Sequence, residues 1–392
     1  LPGNAAQTRR PDLAPGCWVL RIQKLSLTNF RNFADVGVEF SDLPNVILGA
    51  NATGKTNILD AVHILSVGRS HRERREYNLV RFGEEYYRIE GVFDHIGVKT
   101  TIEVVYSPEG KRVRLNGKEA RGTDLIGLAA AVITSPDDID LVKGGPLLRR
   151  RFLDIGISQT SRQYLASLQQ YVRALAQRNV LLRKAKETGE RADTAVWDDT
   201  LVKAGSEVVS LRLEFLGYLE PMVERDFGLI SGMGGEVSLA YEPRGYSLGA
   251  RGGNMPGSDE IRALLAEVIG RNQEIELMRG YSLYGPHVDD FSFSSNGLDL
   301  RQFGSEGEQR TAVLALRCAE AAAIKERLGK APILLLDDVF AELDDARSAA
   351  LIALISGFDQ IVLTSSRESP LGDMEVHRIY VENGRIRYDG QA

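Results

Sequence analysis

At 392 residues and 43.2 kDa the chain is long enough for two or three domain-sized units, which rules out a small binding module or a disulfide mini-scaffold. Hydrophobic residues make up 43% and charged residues 26% of it, the balance of a water-soluble globular protein, and no apolar run approaches the roughly 20 residues of a membrane-spanning helix. Two cysteines, Cys17 and Cys318, build neither a disulfide framework nor a zinc site, so a reducing cytoplasm is expected; a net charge of -6 means that any nucleic-acid partner is held by local basic clusters or by an oligomer.

Residues 1–20 are rich in Pro, Gly and Ala without periodicity and read as an extension, with neither the apolar core nor the cleavage pattern of a secretory signal. From Arg21 the pattern becomes regular. Ile22, Leu25 and Leu27 predict one strand, and Val36, Val38 and Phe40 alternate as another. Asn45–Leu48 is a short apolar run followed by a glycine-bounded loop and then by Ile58, Leu59, Val62, Ile64 and Leu65 at helical spacing: strand, loop, helix. Between residues 87 and 120, alternating runs are broken at Asp94-His95, Pro108-Glu109-Gly110 and Asn116-Gly117, the punctuation of antiparallel hairpins. The expected fold class is α/β, a parallel core sheet with an antiparallel annex.

Residues 160–226 follow a different rule. Leu165, Leu168, Val172, Leu175 and Leu182 alternate steps of three and four if Asn179 fills one place, and Trp197, Leu201, Ala204, Val208, Leu211, Phe215, Tyr218 and Met222 repeat the spacing. Both are heptad seams, and the polar stretch from Arg183 to Thr194 would let the helices fold back as a short coiled-coil-like hairpin on a helical second lobe. Two amphipathic helices packed on a globular lobe are the other reading of this spacing. A buried Asn179 would fix register in the first reading and find a local partner in the second. The glycine-rich residues 231–257 predict a loop with weak strands.

Gly49-Ala50-Asn51-Ala52-Thr53-Gly54-Lys55-Thr56 fits G-x-x-x-x-G-K-[ST] between a predicted strand and a predicted helix. In that setting the glycines let backbone N–H groups wrap ATP phosphates, the helix N-terminus adds positive potential, Lys55 reaches the terminal phosphates and Thr56 ligates Mg2+. Asn51 either donates to the terminal phosphate or only favours the turn. Downstream, Ile333-Leu334-Leu335-Leu336-Asp337-Asp338 is an apolar run ending in two acids, the pattern of a buried parallel strand that delivers carboxylates to its C-terminal edge. Asp337 would hold the magnesium through water, and Asp338 would orient or deprotonate the attacking water. Between them, Ser305-Glu306-Gly307-Glu308-Gln309-Arg310 opens a helix whose hydroxyl and free N–H groups suit an anion, although an ordinary N-cap has the same residues.

Three basic clusters are candidates for DNA phosphates: Arg69, Arg72, Arg74 and Arg75 after the phosphate-loop helix, Arg149–Arg151, and Arg183, Lys184 and Lys186 at the hairpin tip. Glu73, Glu76 and Glu187 interrupt them, as in a solvated charged loop. His63, His71, His287 and His377 lack ligand spacing and read as polar or core residues.

The motifs together resemble one family. Leu27-Thr28-Asn29-Phe30-Arg31-Asn32-Phe33, the phosphate loop, Pro136-Asp137-Asp138, Lys143-Gly144-Gly145-Pro146, Arg149-Arg150-Arg151-Phe152-Leu153-Asp154, Gly285-Pro286-His287 with Asp289-Asp290, and the block from Asp337 to Asp344 occur in the order of the RecF family, ABC-type ATPases related to the heads of SMC proteins. The resemblance implies an ABC-like head over residues 21–145 and 285–392, a helical arm lobe over 146–284, and ATP-dependent homodimerisation. It also implies binding to duplex DNA and gap junctions, and work with RecR and RecO in loading recombinase. It places Gly49, Asn51, Gly54, Lys55 and Thr56 on the phosphate loop, Ser305 and Gly307 on the signature motif, Asp337 and Asp338 on the magnesium and water positions, and Arg31 and Asn32 near the nucleotide. Glu306 and Glu308 depart from the expected Gln. No histidine follows Ile361-Val362-Leu363-Thr364, which leaves Thr364, Ser365 or Ser366 for that role, and Ser135-Pro136-Asp137 stands at the lobe-joining position without a Gln. The ATPase subunit of a membrane transporter and a P-loop small-molecule kinase are the competing classes. A transporter ATPase would place its signature nearer the phosphate loop, an SMC head would insert a far longer arm, and a kinase would leave Ser305–Arg310 without a role.

Overall fold

The computed structural model describes residues 20–95, 97–189, 193–232, 234–248, 256–368, 370–382 and 384–389, so nearly all of the extension read at residues 1–20, and part of the glycine-rich stretch, lie outside the described residues. Its centre is a six-stranded sheet in the order β15-β14-β3-β13-β12-β8. The strands are β3 (Asn45–Leu48), β8 (Ala131–Thr134), β12 (Ile333–Asp337), β13 (Ile361–Ser365), β14 (His377–Glu382) and β15 (Arg385–Tyr388), all parallel except the β14–β15 pair. Parallel strands covered on both faces need apolar residues at every position. Here Val46, Leu48, Leu334, Leu336 and Leu363 enter one core, while Ile47, Ile333, Leu335 and Val362 enter the other.

The second core is closed by helix α1 (Lys55–Val67) and an antiparallel sheet in the order β2-β1-β4-β5-β6-β7. Its strands are β1 (Leu20–Phe30), β2 (Phe33–Glu39), β4 (Tyr87–His95), β5 (Val98–Ser107), β6 (Gly110–Leu115) and β7 (Lys118–Ala120). The hairpins expected between residues 87 and 120 are β4 to β7. Asn116 and Gly117 both take positive φ, 49° and 76°, the two-residue turn whose twist matches the flanking strands.

The first core is closed by helices: α4 (Pro146–Thr160), α5 (Arg162–Thr188), α6 (Ala195–Ser231), α10 (Glu306–Leu328) and α11 (Asp345–Ile355). The short helices α2 (Gly122–Leu125), α3 (Asp140–Lys143) and α9 (Leu300–Phe303) link elements; α7 (Ser258–Arg271) and α8 (Gln273–Arg279) extend the helical lobe. Strands β9 (Val237–Glu242), β10 (Asp290–Ser295) and β11 (Leu298–Asp299) form a third, antiparallel sheet.

Helices α5 and α6 fold back on each other as the spacing predicts, but the buried seam of α5 differs from the aliphatic one. Tyr164, Tyr171, Ala174, Arg178, Leu182 and Ala185 are buried, whereas Val172 is 53% exposed. The cause is Arg178, fully buried between Asp198 and Glu276 and bonded to Ser282 Oγ at 2.8 Å, a polar core position that hydrophobic spacing misses. Asn179 accepts from the N–H and the hydroxyl of Ser282, both at 2.8 Å, a partner 103 positions away in the chain that the seam pattern does not show. α6 packs on α5, α7 and α10, as a helix buried on several sides must.

Candidate nucleotide site

The C-terminal edges of β3, β12 and β13 converge where α1 begins. After Leu48 the chain turns through residues 49–54, and two glycines are sterically required: a Cβ on Gly49 would stand 2.5 Å from the Val381 carbonyl oxygen, and one on Gly54, at φ 110°, 2.6 Å from the Asn32 amide group. Gly54 is the N-cap of α1, whose first turn leaves N–H groups without intrahelical acceptors beside the loop. Lys55 is buried and its Nζ arches back to donate to the carbonyls of Gly49 at 2.7 Å and Ala50 at 3.0 Å. Asn51 stands exposed in the loop, with no side-chain hydrogen bond among the described residues.

Pairing of β12 with β13 sets Asp337 opposite Thr364. Asp337 Oδ1 accepts from Thr56 Oγ1 at 2.8 Å and from Thr364 Oγ1 at 2.7 Å, and the Thr364 hydroxyl accepts from the Asp338 N–H at 2.9 Å. Asp338 itself is left-handed, φ 49°, so the strand ends there. Burial pushes the Asp338 carboxyl above its ordinary range; Lys55 opposes the shift and Asp337 adds to it. A hydroxyl and a carboxylate in direct contact beside a phosphate loop form the oxygen donor set that Mg2+ accepts when phosphate and water complete its shell. No cluster of three or more His, Cys, Asp or Glu able to hold a metal by itself occurs among the described residues.

The Ser305 motif opens α10. Ser305 is the N-cap of α10 in a capping box: its hydroxyl and N–H both bond Glu308 Oε2, at 2.7 and 2.8 Å, and Glu308 N–H returns to Ser305 Oγ. These bonds hold the Glu308 carboxyl below its usual range, and the Arg310 side chain does the same for Glu306. Both departures from Gln therefore have local partners. Arg310 also pairs with Glu342, and a Cβ on Gly307 would stand 3.2 Å from the Arg347 guanidinium. Among the described residues, Ser305 hydrogen-bonds only within its own helix start and makes no bond to residues 49–56.

Asn32 reaches the loop: its Nδ2 donates to the Thr53 carbonyl at 2.7 Å, and its Oδ1 accepts from Asn57 Nδ2 at 2.8 Å. Arg31 instead donates to the Asn78 carbonyl at 3.1 Å. Arg69, Arg72, Arg74 and Arg75 are all exposed, with Arg72 paired to Asp137 at 2.9 Å. Arg149 is buried against Asp290 at 2.7 Å, which removes it from the second basic cluster. At the lobe-joining segment, buried Asp138 accepts from Arg317 of α10 at 3.0 Å and lies 3.3 Å from His71 Nε2. Sequence reasoning did not find this triad, because its members come from three separate segments. Ser365 caps Arg367 N–H, so of the three hydroxyls offered in place of a histidine, Thr364 is the one on the acids.

A phosphate loop and two strand-end acids, on a parallel sheet flanked by an antiparallel sheet and a helical lobe, define an ABC-type ATPase head of the SMC kind. An SMC head from Pyrococcus furiosus shares that fold, with a TM-score of 0.54 at 18% identity over 94% of this chain and 96% of that one. The family described as RecF/RecN/SMC N terminal domain matches residues 21–386. Within it, the chain belongs to the RecF family. It is 38% identical to the DNA replication and repair protein RecF of Moorella thermoacetica, covering 88% of this chain and 90% of the relative, and 37% identical to that of Bacillus subtilis, covering 88% and 93%. A solved structure described as the recombination mediator protein RecF with ATP, in the RecFOR pathway, superposes with a TM-score of 0.87 at 31% identity over 96% of this chain and 99% of the other.

Proposed function

We propose that this protein is an ATP-switched DNA-binding protein of recombinational repair. The single observation that carries the reading is the joining of Thr56 and Asp337 beside the Lys55 loop, in a chain whose relatives are named for DNA replication and repair. Gly49, Asn51, Gly54, Lys55 and Thr56 hold ATP phosphates, Thr56 and Asp337 hold Mg2+, and Asp338 orients the attacking water. Asn32 braces the loop, and Arg31 supports the neighbouring strand connection. Ser305 and Gly307 complete the terminal-phosphate site of a second chain, so ATP joins two copies head to tail. The head comprises residues 21–145 and 285–392, and residues 146–284 form the arm lobe. Hydrolysis is slow, because Asp338 is one methylene shorter than a Glu and reaches the water less well. Exposed Arg69, Arg72, Arg74 and Arg75 contact the backbone of duplex DNA at gap junctions, where RecO and RecR share the loading of recombinase.

Relatives named for DNA repair support this reading over a transporter subunit, and no described helix is long and apolar enough to cross a membrane. The test is retention of gapped duplex with ATP, with ADP and with Lys55→Met. Retention that needs ATP and Lys55 supports the reading, and indifference to both contradicts it.

A further inference from the structure

At the end of α1 remote from the phosphate loop, a half-open cleft of about 440 Å³ lies between the segment after α1 and the helical lobe. α1 has 13 residues and is therefore about 20 Å long, which separates this cleft from the nucleotide site. Five guanidiniums stand in its wall: Arg69 and Arg74 on the segment after α1, Arg150 and Arg151 on α4, and Arg212 on α6, which is paired with Asp154. Three acids also line it, and each already has hydrogen-bond partners. Glu73 accepts from the N–H groups of Arg74 and Arg75 and from Asn78; Glu76 takes Lys111 and the Tyr87 hydroxyl; Asp154 takes Arg212 and the Tyr164 hydroxyl.

None of the other four arginines forms an ion pair with a described carboxylate. Arg150 donates to the Asp289 carbonyl at 2.8 Å and Arg151 to that of Ser70. Burial, then the like charges of Arg69 and Arg74, lowers Arg151 to about 10; burial and then Arg212 lower Arg150, and the nearby Asp290, Asp154 and Asp289 only partly oppose them. Half-buried cations crowded by like charges are costly, and a multivalent oxyanion balances them, because guanidinium forks bind phosphate oxygens in pairs. The volume lies within the range of small-ligand sites, about 300–1,000 Å³. Leu147, Leu168, Val172 and Tyr171 supply an apolar wall. Such a cleft admits one nucleotide and not a duplex, so internal duplex phosphates reach only the exposed arginines at its rim.

We propose that this cleft binds the terminal phosphate monoester of a nucleic-acid strand, with Arg150 and Arg151 as its floor and Arg69 and Arg74 at its rim. At a gap, the 5′ end carries that dianion, and the cleft lets the protein register a strand end as well as a duplex. The proposal rests on the DNA-binding reading above and adds a ligand class and a site to it.

The experiment compares gapped duplexes bearing a 5′-phosphate or a 5′-hydroxyl, with ATP present, and titrates phosphorylated and unphosphorylated dithymidylate and free dTMP. The phosphorylated gap binds about tenfold tighter, the worth of one charge-assisted hydrogen bond. The preference disappears in Arg150→Gln/Arg151→Gln and shrinks in Arg74→Gln, whose exposed side chain makes no bond that folding needs. Equal affinity for the two gaps overturns the cleft and leaves the repair reading standing. If neither gap binds, the repair reading fails and the dinucleotides decide the cleft: a phosphate preference keeps it, no preference removes it. If dTMP binds as tightly as the phosphorylated gap, the site takes free nucleotides and the strand-end proposal is wrong.

Discussion

Thr56 Oγ1 and Asp337 Oδ1 lie 2.8 Å apart, although 281 positions separate them in the chain. The contact ties the first turn of α1 to the end of β12, and Thr364 on β13 holds the same carboxylate oxygen. Thr56→Val removes one oxygen of the pair and leaves the Thr364 bond in place. Nucleotide affinity measured with Mg2+ falls by about tenfold or more, whereas affinity measured in chelator changes little.

In the proposed role Asp338 acts as a carboxylate, and burial raises the pH at which it ionises. Turnover therefore rises with pH through that elevated value and falls below it, where the carboxyl takes up its proton. In Asp338→Asn the ionisation is absent: turnover drops by about 100-fold, the pH dependence flattens, and the ATP-bound dimer persists. A profile from roughly pH 4 to 8 on both proteins checks this.

Ser305 has two tasks that two substitutions separate. Ser305→Ala loses the capping box and costs about 1 kcal/mol in denaturant unfolding. Ser305→Arg places a bulky cation at the proposed contact between chains, so it keeps ATP binding and abolishes the dimer. Normal dimerisation by Ser305→Arg removes the residue from the shared site.

Asp138 joins the lobe-linking segment to α10. Its burial favours the neutral form, but Arg317 and His71 outweigh this and hold the carboxyl well below its usual range. A carboxyl depressed in the folded state stabilises above its unfolded pKa of about 4, and that stability is lost as pH falls through the folded value. Asp138→Asn costs roughly 3–5 kcal/mol near neutrality, and the difference from wild type narrows in acid. Urea unfolding at a series of pH values measures both.

DNA binding through exposed arginines carries a salt signature. Each phosphate contact steepens the log–log dependence of affinity on salt by about 0.9, so a dimer carrying two sets of Arg69, Arg72, Arg74 and Arg75 gives a larger slope with ATP than with ADP. Replacing the four with Ala flattens the ATP slope and weakens binding equally across unrelated sequences, since backbone contacts carry no base code.

The phosphate loop was legible because its eight residues are contiguous, and β12 because a strand buried on both faces must be apolar throughout. Contacts that depend on register or on distant partners were not. Thr364 reaches the acids only through the pairing of β13 with β12, and Asn32 touches the loop only because the β1–β2 turn packs on it. Arg149 reads as one of three surface arginines until Asp290, 141 positions away, buries it. Arg178 shifts the α5 seam for the same reason: a paired charge occupies the core, and hydrophobic periodicity is blind to it.

Sedimentation velocity of the purified chain with ATP, with ADP and without nucleotide tests the central claim most directly. A dimer is expected with ATP alone, a monomer in the other two states, and in Asp338→Asn an ATP dimer that outlasts that of the wild type. The same sedimentation coefficient in all three states, whether of monomer or of dimer, would contradict it.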